Sequence, residues 1–289
     1  AAIETGDIAA LKSTQLLALK TTQVQALTTE QVQALTSAGI AALSTAQAAA
    51  LTTDQVVAIT SVQVTALTTA QVASLTTAQV GALETDDFAL LKTTQIAALK
   101  TAQVQALSTD QVVALTTDQA QTLSNAQVAA LTTAQTAALE TADLVVLKTS
   151  QIAALTTAQA GALTTEQVVA LTSAQVQTLS SNQLQALSTE QVAAIETADV
   201  AALKTTQVAA LKTTQVQALT TEQVQALTSA GIAALNTNQV GALTTDQVVA
   251  LTSAQAAAMT TAQIATLSTA QIAAIETGDI AALKSTQLL

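Results

Sequence analysis

Large apolar residues return every eight positions along this chain. Counted from Ile3, the sequence divides into octads close to Leu-Thr-Thr-Ala-Gln-Val-Ala-Ala, 35 of them complete and a last one of seven residues, with no insertion anywhere. Position one is Leu, Ile or Met in all 36 octads, Met259 being the sole Met, and position six is mostly Val or Ile. Position three is always Ser, Thr or Asn (Thr5, Ser13, Asn125, Ser285), and position eight is nearly always Ala. Position five is Gln in 29 octads, Asp in five and Gly in two, Gly39 and Gly231.

Ser, Thr and Asn share a preference for capping helix N-termini through a side-chain oxygen. With position three as N-cap, positions four to eight and the next one and two form a helix of about seven residues. Acids at position four (Glu30, Asp54, Asp110, Glu166, Asp246) then fall in the first turn. Every Lys stands at position two, in the last turn of the preceding helix; the helix dipole favours both placements. At 100° per residue, positions six and one lie about 60° apart, so Val and Leu share a narrow apolar face. The Ala at position eight admits a close neighbour, and positions four and seven point away. A helix this short is unstable alone, because nucleation costs more than so few hydrogen bonds return. Stacking on neighbours is its route to a core, which is the logic of a solenoid.

The expected fold is therefore all-α: a solenoid of short capped helices, one per octad, running through residues 1–289 as a single continuous tract. A continuous helix would carry its apolar stripe round by about 80° per octad and form no straight seam. A β-solenoid, the alternative, would use the Thr and Val. It is poorly served by Ala, Gln and Leu, and by a chain with seven Gly, four Asn and no Pro for turns. The absence of a Gly to close each helix counts against short helices.

A second period lies above the first. Five octads replace Thr-Thr-x-Gln by Glu-Thr-x-Asp, and each is followed by a Lys octad: Glu4/Asp7/Lys12, Glu84/Asp87/Lys92, Glu140/Asp143/Lys148, Glu196/Asp199/Lys204 and Glu276/Asp279/Lys284. They are 10, 7, 7 and 10 octads apart. Long and short modules differ by three octads, so three octads is the expected coil, a unit that can be gained or lost without disturbing the stack. Helices stacked at 8–10 Å would give a rod of about 12 coils and roughly 100–120 Å. Residues 273–289 repeat residues 1–17 letter for letter, as in a piece of a longer repeat.

Composition narrows the function. The chain has no His, Cys, Trp, Tyr or Arg, one Phe, and a net charge of −11. Ser–His and Cys–His nucleophiles and zinc sites with N or S ligands are excluded. Without a basic stripe or aromatic platforms, nucleic-acid binding is not expected. The longest apolar stretches, such as Phe88-Ala89-Leu90-Leu91, are far below the roughly 18–20 residues of a bilayer span, so no membrane insertion is expected. No basic n-region or cleavage site is present, and the absence of Cys suits secretion and cytosol alike.

The Glu–Asp–Lys clusters hold the concentrated charge. Glu84, Asp86 and Asp87 form the best candidate cation site, although no Asp-rich calcium loop is present. Salt bridges between neighbouring rungs are the simpler expectation for Glu and Lys at one repeat position. Glu4 and Asp7 would suit general acid–base chemistry, but a five-fold copied pair without pocket-forming aromatics argues against an enzyme. No metal, cofactor or small-molecule substrate is expected. The Gln column either forms a ladder along the stack or satisfies backbone groups at the helix starts. The Thr at positions two and three would also make a regular exposed array suited to ice.

Octads such as Leu-Thr-Thr-Glu-Gln-Val-Gln-Ala (27–34) and Leu-Thr-Thr-Asp-Gln-Val-Val-Ala (51–58, 243–250) resemble tandem tracts of very large bacterial secreted and cell-surface proteins of the adhesin type. Locally they also resemble the first helix of a TAL-effector repeat, without its base-reading loop or basic surface. The adhesin resemblance implies an extracellular or cell-surface stalk, filament or sheath. The low charge, 9% of residues, adds an expectation that the partner is self, laterally or end to end.

Overall fold

A computed structural model describes residues 4–283, so Ile3, Lys284 and Ser285 lie outside the described residues. It contains 35 short α-helices, one per octad from α1 (Thr5–Ala9) to α35 (Thr277–Ala282), and no strand among the described residues. The all-α reading therefore holds and the β-solenoid does not.

The octad folds one position earlier than the capping residues suggested. The N-cap is position two, not three, and each helix runs for four to six residues from position three. The capping box decides the register: in α9 (Thr69–Ser74), the Thr68 hydroxyl accepts from Gln71 N at 3.2 Å while Gln71 Oε1 accepts from Thr68 N at 2.7 Å. Capping from position three would place Val at N3, which cannot complete the box. The described lysines consequently stand at N-caps rather than in last turns. A lysine has no acceptor to offer, so only the Gln half of the box forms there, as with Gln103 Oε1 and Lys100 N at 2.6 Å.

No described helix is closed by a left-handed glycine. The chain leaves through position one in an extended conformation, as at Leu67 (φ −54°, ψ 135°), whose N–H closes the last turn on Val64 O at 3.2 Å. Position two is also extended, Thr68 having φ −77° and ψ 157°. Two extended residues make each corner, and no described residue has positive φ.

The chain divides into two compact units, Ala1–Leu147 and Lys148–Leu289. In both, each helix packs on the helix three octads away, which makes the coil three octads long, as the module arithmetic required. The first unit thus has three columns of stacked helices. Column one contains α1, α4 (Thr29–Ala34), α7 (Thr53–Val57), α10 (Thr77–Ala82), α13 (Thr101–Gln105) and α16 (Asn125–Ala130). Column two contains α2 (Ser13–Leu17), α5 (Ser37–Ala42), α8 (Ser61–Ala66), α11 (Thr85–Ala89), α14 (Thr109–Val113) and α17 (Thr133–Ala138). Column three contains α3 (Thr21–Gln25), α6 (Thr45–Ala50), α9, α12 (Thr93–Ala97), α15 (Thr117–Thr122) and α18 (Thr141–Val146). In the second unit, α20 (Thr157–Ala162), α23 (Ser181–Ala186), α26 (Thr205–Ala210) and α29 (Ser229–Ala234) stack in the same way.

Positions one and six fill the interior, with Phe88 its largest fully buried side chain. Thr136, a polar residue at position six, is equally buried and bonds back to Thr132 O at 2.9 Å. Small position-six residues, Ala48, Ala120 and Ala160, are also fully buried, so the interior accepts a range of volumes.

Candidate interaction surface

Position five forms the ladder and satisfies the helix start at once. Gln103 shows both halves. Its Oε1 accepts from its own N-cap, and its Nε2 donates to Val72 O and Leu75 O of the coil before, each at 2.8 Å. Those carbonyls belong to the end of α9 and the corner after it; Val72 O already accepts from Leu75 N–H at 3.3 Å, and Leu75 O has the amide as its partner. Gln71 repeats the bonds on Ile40 O and Leu43 O at 2.7 Å, and Gln247 on Val216 O and Leu219 O at 2.9 and 2.7 Å. The amide of the next coil does what a terminal glycine does elsewhere.

The five Asp octads interrupt this ladder, because an ionised Asp is shorter and has no hydrogen to donate. Asp7 is exposed in the first coil, whereas Asp87, Asp143, Asp199 and Asp279 are buried. Asp87 accepts from Ser61 Oγ at 2.6 Å, Asp279 from Ser253 Oγ at 2.7 Å, and Asp199 from Ser173 Oγ, each serine lying 26 residues earlier. Thr117 holds the matching place before Asp143. Asp143 Oδ2 has no hydrogen-bond partner, and burial, followed by the nearby Glu140 charge, raises this carboxyl to about 6.

Glu84 and Asp86 are exposed while Asp87 points into the stack. No group of three acids able to hold a metal forms among the described residues. Glu4 and Asp7 are both exposed, with no enclosure around them. Among the described residues the expected Glu–Lys salt bridges are not made, and Lys284 of the last pair lies outside them. A Glu and the Lys one octad later cap helices in adjacent columns, and among the described residues no lysine lies within 4.0 Å of a carboxylate. Glu30, Glu166, Glu190 and Glu222 in first turns are held below the usual carboxylate range, first by their own backbone N–H and then by the cap hydroxyl. A cavity of about 360 Å³ at the first coil, open to solvent, is lined by Ile8, Leu11, Leu19 and Leu27 together with Gln23, Thr28 and Gln31, and no acid or base lines it.

What remains is the outer surface. In each coil it consists of positions two, three, four and seven, largely Thr, Ala and Gln, with charge at the cluster coils. In the first unit Glu4 stands at the N-cap of α1 in column one, Glu84 at that of α11 in column two and Glu140 at that of α18 in column three, none making a capping bond. Spacings of ten and seven octads both leave a remainder of one over three, so in the first unit each cluster turns to the next column. No helix among the described residues is long and apolar enough to cross a membrane.

No curated protein matches this chain. The family model for the ALTTAQ repeat matches residues 1–37, 33–61, 80–117, 136–173, 168–195, 192–229, 225–253 and 232–269. The hexapeptide Ala66-Leu67-Thr68-Thr69-Ala70-Gln71 carries those six letters, spanning one corner and the complete capping box that follows it. The chain belongs to the ALTTAQ repeat family.

Proposed function

We propose that this chain is a structural segment of a bacterial extracellular or cell-surface protein, and that its copies associate laterally into filaments or a sheath. The observation that carries this reading is the division of labour within the octad. Positions one, five and six are used up in holding coil to coil, and the surface left over repeats every three octads, with no metal cluster among the described residues. A surface of small side chains with 9% charge repels its own copies weakly. The resemblance of the octads to tracts of large adhesin-like proteins supports the extracellular setting. Electron microscopy of the chain at physiological salt tests the reading. Filaments with a regular axial repeat are expected. Particles that stay separate at every concentration would overturn self-association and leave the chain a single-copy spacer.

A further inference from the structure

We propose that copies pack side by side, parallel and in register, with column one of one copy against column two of the next. This rests on the lateral association proposed above and specifies its interface. The observation is the order of charge along the columns of the first unit. Column one carries Glu4 at its first N-cap and Lys100 at that of α13. Column two carries Lys12 at the N-cap of α2 and Glu84 at that of α11. Column three carries Lys20 and Lys92, two cations, at the same two clusters. All six are exposed and none is paired within its own chain.

From the first of these clusters to the second, column one is minus then plus, column two plus then minus, and column three plus then plus. Setting column one against column two brings Glu4 to Lys12 and Lys100 to Glu84. With helices stacked at 8–10 Å, the paired residues differ in level by about 3 Å and about 6 Å without any shift, within the span of a lysine side chain. The other exposed acids of these two columns agree. Asp86 and Asp110 of column two lie near the level of Lys100, and Glu30 and Asp54 of column one face the neutral octads of α5 and α8. In a parallel contact, any pairing with column three sets two lysines together at one of the clusters. Two copies of column one run antiparallel set Asp54 against Asp54. The chosen contact is heterologous, the same two columns of every copy being used once each, so it propagates from copy to copy as lateral growth requires.

The test is charge reversal with compensation, read as the concentration needed for assembly by sedimentation at low salt. Glu4→Lys is expected to raise that concentration about fivefold, an attractive exposed pair having become a repulsive one. Adding Lys12→Glu is expected to restore the wild-type value within about twofold, and raising the salt to 1 M to erase the difference. Lys92→Glu, in column three, is the control and is expected to change nothing. Far-UV circular dichroism of each variant checks the fold, which already accepts Lys at N-caps. Rescue of Glu4→Lys by Lys100→Glu instead would mean that column one meets itself, and would overturn the proposal. So would wild-type assembly that ignores Glu4→Lys, while leaving lateral association standing. If the wild-type chain never assembles, the association reading itself has failed.

Discussion

Replacing Asp143 by the residue that dominates its column is expected to stabilise the first unit, by an amount that depends on pH in a calculable way. Asp143 is 2% exposed, its Oδ2 has no partner, and its carboxyl is raised from 3.8 to about 6. Below pH 3.8 the group is protonated in folded and unfolded chains alike and opposes folding in neither. Between 3.8 and 6 the folded chain holds a proton that the unfolded chain has released, so stability falls as pH rises. Above 6 both states are ionised and the whole difference stands, about 3 kcal/mol at pH 8 and about 1.5 kcal/mol at pH 5. Asp143→Gln removes this opposition. A glutamine there also has Val112 O and Leu115 O at the 31- and 28-residue separations its neighbours use, and Glu140 N–H at its own helix start. Those bonds add about 1 kcal/mol each, independently of pH. The expected stabilisation is therefore larger at pH 8 than at pH 5 by about 1.5 kcal/mol. Urea unfolding followed by circular dichroism at both pH values measures it, as the difference between variant and wild type, so the other acids cancel. Hydrogen exchange of the α15 and α18 amides locates it. A stabilisation equal at the two pH values would refute the buried, ionised Asp143, and a loss of stability would refute the clamp.

The clamp itself is tested by Gln103→Met, which keeps the bulk and strands Lys100 N–H and Leu75 O, while Val72 O keeps its bond from Leu75 N–H at 3.3 Å; a loss of about 1–3 kcal/mol in urea unfolding is expected. Gly81→Ala would put a methyl 2.9 Å from Ala106 O in the next coil and is expected to destabilise by about 1–3 kcal/mol. Gly6→Ala, with nothing within 4 Å, is expected to gain up to about 1 kcal/mol from helix propensity, and comparing the two melting temperatures separates packing from propensity. Phe88→Ala, which empties the largest fully buried site, is expected to lose about 3–5 kcal/mol by urea unfolding.

The octad, the helix it makes and the three-octad coil are all legible in the letters, because period is a global property that single residues do not blur. The register is harder to read, since Thr commonly fills both position two and position three and either can cap. Position five decides between them: counted from position two, Thr-x-x-Gln is a capping box, whereas counted from position three the box would close on Val. The burial of that Gln is also within reach of the letters. Positions five and one are four residues apart, about 40° round a helix, so the amide stands beside the Leu of the core. What composition hides is that Glu and Asp of one cluster have different fates. Both look like surface charge, yet Glu84 stands exposed at an N-cap, without a capping bond, while Asp87 sits 8% exposed beneath a serine of the previous coil. That serine is 26 residues away, a separation with no meaning until the coil length is known.

The same arithmetic links the repeat to its surface. Any whole number of octads keeps Leu, Gln and Val inside, so the interior is indifferent to how many separate one charged cluster from the next. The outside is not indifferent. Modules that were multiples of three octads would align every Glu in one column and leave the other columns with Lys alone, a surface on which like columns repel. Modules of seven and ten octads each leave a remainder of one, and in the first unit this moves the acid from column one to column two to column three. Exchanging a seven for a ten adds one coil and preserves the rotation. Module length is therefore free to vary only by whole coils of three octads if the order of charge around the solenoid is to survive, and the sequence varies by that amount.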